Sequence, residues 1–403
     1  MEKSTLEKIA YLRSPLAIRE RCGQLYDYVV SQKSPYFGCD LTQLENVADY
    51  VIEVMRSQYP VQIPFHSRWR HFVVGVPRLT WLDEKLAQLS DVEIAIAKYD
   101  LAIVSVLLDA GAGNWHYIEP ETQLTFARSE GLAVASYQMF CQGIFSSDPS
   151  NPLRVDAQKL QSLTEEDLVT GFQVTPDNPL VGLSGRLKLL QKLGEVLLIF
   201  PDIFGKENPR PGNLVNYLLL KVEHNQIAAA TIFDAVLQGF SDIWTGRIEL
   251  DGVNLGDVWF HSAVVDDGLV PFHKLSQWLT YSLLEPLQEL GLEITNLDTL
   301  TGLAEYRNGG LCLDLELIYV KNPDILSHSH PVGSEVIVEW RALTLILLDK
   351  IAVKIREKLN VNASELPLVK VLQGGTWSAG RKIAAELRNG VPPLQIESDG
   401  TVF

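Results

Sequence analysis

Sulfur and positive charge are both scarce in this 403-residue chain, which has 3 methionines and 4 cysteines. Cys22, Cys39, Cys141 and Cys312 are scattered, with no CxxC pair among them. That spacing argues against a zinc ribbon or a disulfide framework and fits reduced, buried thiols in a cytosolic protein. Long apolar runs are missing too. The longest, Leu101 to Leu108, covers 8 residues even with Ser105 counted inside it, against the ~20 a bilayer span needs. Met1-Glu2-Lys3-Ser4 leads into no apolar h-region, so no secretory signal is expected. Lys and Arg together number 34 against 50 Asp and Glu, a formal net charge of −16. Such a chain lacks the charge from which nucleic-acid binders draw their affinity. With 46% hydrophobic and 21% charged residues it is nevertheless a folded sequence. The expectation is an ordered, soluble, cytoplasmic protein with neither a membrane nor a nucleic-acid partner.

What is present reads as mainly α with small β elements. Leu44, Val47, Ala48, Val51, Ile52 and Met55 recur at helical spacing. A second helix is expected from Asp91 to Leu108, stopping at Gly111-Ala112-Gly113. Asn213 to Phe240 reads as one or two helices, and Ser334 to Leu359 as a long amphipathic one. Asp251-Gly252 between short alternating segments predicts a hairpin. Val270 to Leu290 reads as helix with Pro271 in its first turn, and the tail from Leu394 as a strand. The expected organisation is a division into residues 1–200, an N-terminal helical region, and 201–403, a helical region carrying the site, or else one compact unit.

Several clusters carry chemistry. Val54 to Leu82 holds Arg56, Arg68, Arg70, Arg78, His66 and His71 with no acid, and Leu366 to Pro393 holds Lys370, Arg381, Lys382 and Arg388 against the single acid Glu386. These basic islands suit an anionic small molecule, or else pair with acidic surface elsewhere. Gly374-Gly375-Thr376 before a helical pattern offers either an anion cradle or a tight turn. Asp109 and Trp115 flank a glycine loop, where Asp109 braces the loop or binds a sugar hydroxyl and Trp115 walls a pocket. His328 and His330, alternating in a loop, are a poor metal pattern, and no metal site is assigned. Asp266-Asp267-Gly268 is sharper: a carboxylate there orients water or stabilises a cationic transition state, or is simply a cap. Two adjacent acids raise one another's pKa unless a cation lies nearby.

Six ordered blocks go further: LLDAGAGNW (107–115), RSEGLAVAS (128–136), MFCQGIFSSDPSNPLRVDA (139–157), GFQVTPDNPLVGLSGR (171–186), GGTWSAGR (374–381) and SDGTVF (398–403). Over essentially the whole chain the sequence resembles the uracil catabolism protein 4 family, tied to a uracil breakdown route in which a ring-opened product retains a ribosylurea unit. A second series is Phe240-Ser-Asp242, Gly246, Asp257-Val-Trp259, Asp267-Gly-Leu-Val270-Pro271, Tyr281-Ser282, Gly333-Ser334 and Glu339-Trp340-Arg341. It resembles the queuosine-salvage N-glycosidases, relatives of helix-hairpin-helix DNA glycosylases, with Gly268, Leu269 and Phe272 departing from that pattern. The resemblance implies a helical DNA-glycosylase-like architecture, a glycosidase-like region at 201–403 and cleavage of a ribose C1′–N bond, with Asp267 matching the catalytic aspartate.

Combined, the two resemblances imply an N-ribosyl hydrolase that takes a small-molecule ribosyl substrate, expected to be phosphorylated, to urea or base plus a pentose. Asp267 would position water or stabilise the oxocarbenium ion, and Asp242 and Asp266 would orient ribose hydroxyls or the nucleophile. Glu339 would protonate the leaving group. Trp244, Trp259 and Trp115 would wall the pocket, and Arg341, Arg381 or Lys382 would hold a 5′-phosphate. That chemistry needs no cofactor. The alternatives are an amidohydrolase acting on the ring-opened pyrimidine and a non-catalytic metabolite-binding or scaffold subunit.

Overall fold

The computed structural model describes residues 3–243 and 248–397, apart from the side chain of Lys3. It is mainly α, with strands only as short two-stranded ladders. Among the described residues no helix is long and apolar enough to cross a membrane. Two compact units interleave in sequence. One takes the chain up to His66, from 248 to Gln277, and from Asn296 onward; the other takes Ser67 to 243 and Trp278–Thr295. Residue 200 falls within the second unit, just after the helix Leu183–Ile199.

The first unit is organised around the helix Glu335–Leu359, preceded by Ser334 in extended conformation and ended by Asn360 at a left-handed φ of 54°. Glu335 in its first turn and Arg356 and Lys358 in its last complement the helix dipole. The expected amphipathic pattern is mostly buried, because Pro15–Val30, Leu44–Gln58 and Tyr306–Asp314 all pack on it. Trp340 explains one approach: a Cβ on Gly309 would come within 2.7 Å of its ring, and its indole N–H donates to the Gly309 carbonyl at 3.2 Å. Pro15–Val30 opens with Pro at its start, and the Ala17 amide donates to the Ser14 hydroxyl. The hairpin at Asp251-Gly252 is present, with φ of 49° and 78° joining Glu249–Leu250 to Val253–Asn254, as a primed turn requires.

Two expectations are corrected here. The helix expected from Val270 begins at Lys274, because Leu269–Pro271 is a strand pairing antiparallel with Val258–Phe260. Gly374-Gly375 is not a loop. Leu368–Val371, a π-helical turn at Leu372–Thr376 and Trp377–Arg388 follow one another as continuous helical structure, so these amides form no anion cradle. The glycines answer to packing instead: a Cβ on Gly375 would lie 2.2 Å from Val51 Cγ1, on the helix Leu44–Gln58. Gly375→Ala is therefore expected to lower stability by about 1–3 kcal/mol through overpacking, which guanidinium unfolding would read.

In the second unit, Asp91–Leu107 is buried on nearly every side from Ala95 onward and packs on Arg128–Cys141. Its one buried acid, Asp100, is held by Arg210 at 2.7 Å and the Gly212 amide at 2.7 Å. Asn213 to Phe240 resolves into two helices, Leu214–Leu219 and Ala229–Phe240. All four cysteines are free thiols.

Candidate active site

The strand Val258–Phe260 and the residues flanking it alternate: Asp257, Trp259 and His261 share a side of the extended chain. That side meets the first turns of the helix Glu335–Leu359. Asp257 receives Arg341 in a two-pronged ion pair, 2.9 Å at Oδ1 and 2.7 Å at Oδ2. It also accepts from the Trp259 indole at 2.6 Å and, at 3.0 Å, from the Lys274 amide, so that it caps the next helix. Burial would raise its pKa, but Arg341, the Lys274 amide and Trp259 outweigh burial and hold the carboxyl far below its usual range. The Arg341 guanidinium lies over the Phe272 ring at 4.0 Å, and only 1% of its side chain is exposed. Trp259 reaches the chain at Gly333, where a Cβ would lie 2.8 Å from its ring.

One step along, His261 faces Glu339, with Nε2 to Oε2 at 3.6 Å and side-chain exposures of 2% and 0%. Ser34 donates its hydroxyl to Glu339 Oε1 at 2.5 Å while accepting from the Tyr36 and Phe37 amides. Glu335, one turn earlier, accepts from the Ser262 amide at 2.8 Å. Burial would raise the Glu335 pKa, but Ser262, His261 and Tyr36 together lower it.

Asp267 closes the hairpin. It accepts from the Leu269 amide at 2.9 Å and pairs with Lys8 at 3.0 Å and Arg21 at 3.4 Å. Burial pushes its pKa up, yet the Leu269 amide, Lys8 and Arg21 win and keep the carboxyl below its usual range. These cations meet the exception to mutual repulsion between adjacent acids. Asp266, by contrast, is exposed and has a φ of 72°, a left-handed residue turning the chain.

Asp267, Asp266, Glu339, Trp259 and Arg341 thus lie in one unit, and the first unit also carries Arg381 and Lys382, on a different helix. Arg381 stacks over Trp377 at 4.7 Å; Lys382 pairs with Glu386 at 2.9 Å and with the Tyr50 hydroxyl. Arg341, expected to hold a phosphate, is engaged by Asp257. Asp242, Asp109 and Trp115 belong to the second unit. Asp242 is exposed, in a single 3-10 turn. Asp109 pairs with the buried Arg68 at 2.7 Å, the bracing role. Trp115 is wholly buried, its indole donating to the Phe172 carbonyl at 2.8 Å, so it walls no open pocket in that unit. Trp244 lies outside the described residues, as does the block 398–403. Much of the basic island between Val54 and Leu82 is internally paired: Arg78 makes two 2.6 Å bonds to Glu119, and Arg70 pairs with Glu285. His328 and His330 each bond a backbone carbonyl at 2.8 Å.

Sequence alone assigns no role to Asp257, His261, Ser34, Lys8 or Arg21. A local signal existed for two of them, since Asp257, Trp259 and His261 recur at period two beside a glycine turn. Nothing local marks Ser34 or Lys8, whose partners are 305 residues away in the first case and 259 in the second.

This arrangement of a charged carboxylate, an indole and an acid–histidine pair is carried by a chain of known kinship. A family model described as "Protein of unknown function (DUF1688)" matches residues 11–403, and the chain belongs to that family. "Uracil catabolism protein 4" of Lachancea kluyveri is 39% identical, the match covering 98% of this chain and 99% of that protein. "Protein urg3" of Schizosaccharomyces pombe is also 39% identical, with the same coverage.

Proposed function

We propose that the protein is an N-ribosyl hydrolase of uracil catabolism, cleaving the ribose C1′–N bond of a ribosylurea or a uracil nucleotide. The observation that carries this reading is the state of Asp267. Its carboxylate is kept negative and in place by Lys8, Arg21 and the Leu269 amide. A fixed anion of this kind stabilises the positive charge that develops at C1′ as the bond to nitrogen loosens. Two further lines support it: the name of the relative that matches over its whole length, and the ordered resemblance to N-glycosidases running from Phe240 to Arg341. In the reaction water adds its oxygen to C1′, the C1′–N bond breaks, and the nitrogen takes up the proton that water loses.

The test is incubation of the purified protein with ribosylurea, ribosylurea 5′-phosphate, uridine and UMP, with products followed by mass spectrometry. Urea or uracil released together with a pentose is the expected result. An amide product with the ribosyl bond intact would replace the reading with an amidohydrolase, and binding without turnover would make the chain a metabolite-binding subunit.

A further inference from the structure

Two buried polar atoms in the first unit face one another without hydrogen-bonding. Glu339 Oε2 and His261 Nε2 are shut off from solvent, have no hydrogen-bond partner, and lie 3.6 Å apart. The hydrogen-bond pattern around them assigns each a role. The Ala263 amide donates to His261 Nδ1 at 3.1 Å, so in the neutral ring the proton sits on Nε2, which is a donor. Ser34 already accepts from two backbone amides, so its own proton points to Glu339 Oε1. Glu339 Oε2 remains as the acceptor. A buried donor and a buried acceptor left unmade are costly, and two side by side are complementary to a group that offers an acceptor and a donor on adjacent atoms.

We propose that Glu339 and His261 form the recognition site for a ureide or carboxamide group: Nε2–H of His261 donates to its carbonyl oxygen and Glu339 Oε2 accepts from its N–H. Ser34 is then a positioning residue, fixing which Glu339 oxygen is free. The assignment of this group as the leaving group rests on the N-ribosyl reading above. When the C1′–N bond breaks, its electron pair passes to the ureido nitrogen and spreads onto the carbonyl oxygen, where His261 Nε2–H meets it. Water's oxygen bonds to C1′, and its proton ends on the departing nitrogen to give urea. In this site Glu339 acts as an acceptor, where the sequence suggested a proton donor.

The test compares ribosylurea 5′-phosphate with ribose 5-phosphate, which carries a hydroxyl at C1 in place of the ureide, by titration calorimetry. Binding is measured on full-length protein carrying Asp267→Asn, so that turnover does not interfere. The ureide compound is expected to bind at least about tenfold tighter, because its absence leaves both buried groups unpaired. Adding Glu339→Gln or His261→Phe should erase that preference and leave ribose 5-phosphate affinity within about twofold; the Phe keeps a flat ring beside Tyr28. Circular dichroism confirms the fold of each, and either variant alone decides. A preference that survives in a folded variant, or no preference in the parent, overturns the proposal. A preference that depends on the pair, in a wild-type protein that releases no urea, sustains the ureide site and overturns the N-ribosyl reading. Urea release with no such preference does the reverse.

Discussion

Asp267→Asn should lower release of urea or base by about 10²- to 10³-fold, the usual cost of removing one preorganised electrostatic contact to a transition state. Asparagine keeps the shape and can still accept from the Leu269 amide, so the hairpin tip persists. What is lost is the negative charge and, on the proposed N-ribosyl reading, the stabilisation of C1′ as it becomes cationic. The effect on folding is small by comparison. Lys8 is 37% exposed, and pairs of that kind contribute at most about 1 kcal/mol; Arg21, at 9% exposure, lies farther from the carboxylate at 3.4 Å and keeps its 2.9 Å bond to the Val265 carbonyl. A melting temperature within a few degrees of wild type, beside a collapse in product formation, separates chemistry from stability. Asp266→Asn is the matched control. That residue is exposed and left-handed, a conformation asparagine adopts readily, so its activity should equal wild type. If instead Asp267→Asn retains full activity, Asp267 serves only to hold Lys8 and Arg21 together.

The contrast between these neighbouring aspartates marks how far the sequence reaches. Leu44–Gln58 is readable because its one-sided apolar periodicity is local, and Asp91–Leu107 because its acidic first turn, its apolar run and the glycine loop after it are local signals too. The Asp251-Gly252 hairpin was readable because its turn demands two positive φ values. Gly375 is ambiguous for the opposite reason: a glycine in a loop and a glycine under a neighbouring helix look alike in sequence, and only the Val51 side chain against it decides. Pro271 likewise satisfies a helix start and an edge strand, and only pairing of Val270 with Trp259 decides. At the site, residue types were legible and pairings were not. Asp267, Glu339 and Arg341 stood out as charged residues in distinctive blocks. That Arg341 is engaged by Asp257, and that Glu339 looks at His261, depends on contacts spanning 84 and 78 residues. A charged side chain advertises a function in sequence only as an unsatisfied group, and burial beside a counterion removes that status.

Arg341→Leu turns this point into a measurement with a large expected effect. Removing the guanidinium leaves the Asp257 carboxylate, 15% exposed, with only the Trp259 indole and the Lys274 amide. Breaking one partner of a buried pair costs about 3–5 kcal/mol, here with loss of the stacking on Phe272 as well. Guanidinium unfolding at neutral pH should show a loss of that size. The pH dependence identifies its source. In wild type, Asp257 is held far below its ordinary value of 3.8, so the stabilisation is complete above that value and is lost as pH falls below it. In the variant, burial without a cation raises the Asp257 pKa, and protonation relieves the orphaned charge. The stability gap between the two proteins should therefore narrow on acidification, first as Asp257 of the variant takes up its proton above about pH 4, and further below it as the wild type loses its stabilisation. A variant that unfolds like wild type but loses affinity only for the phosphorylated substrates would return Arg341 to the phosphate-binding role suggested by its sequence. A stability loss with unchanged phosphate preference places it instead as the counterion that keeps Asp257, and through it Trp259 and the start of the helix Lys274–Glu289, in register with the site.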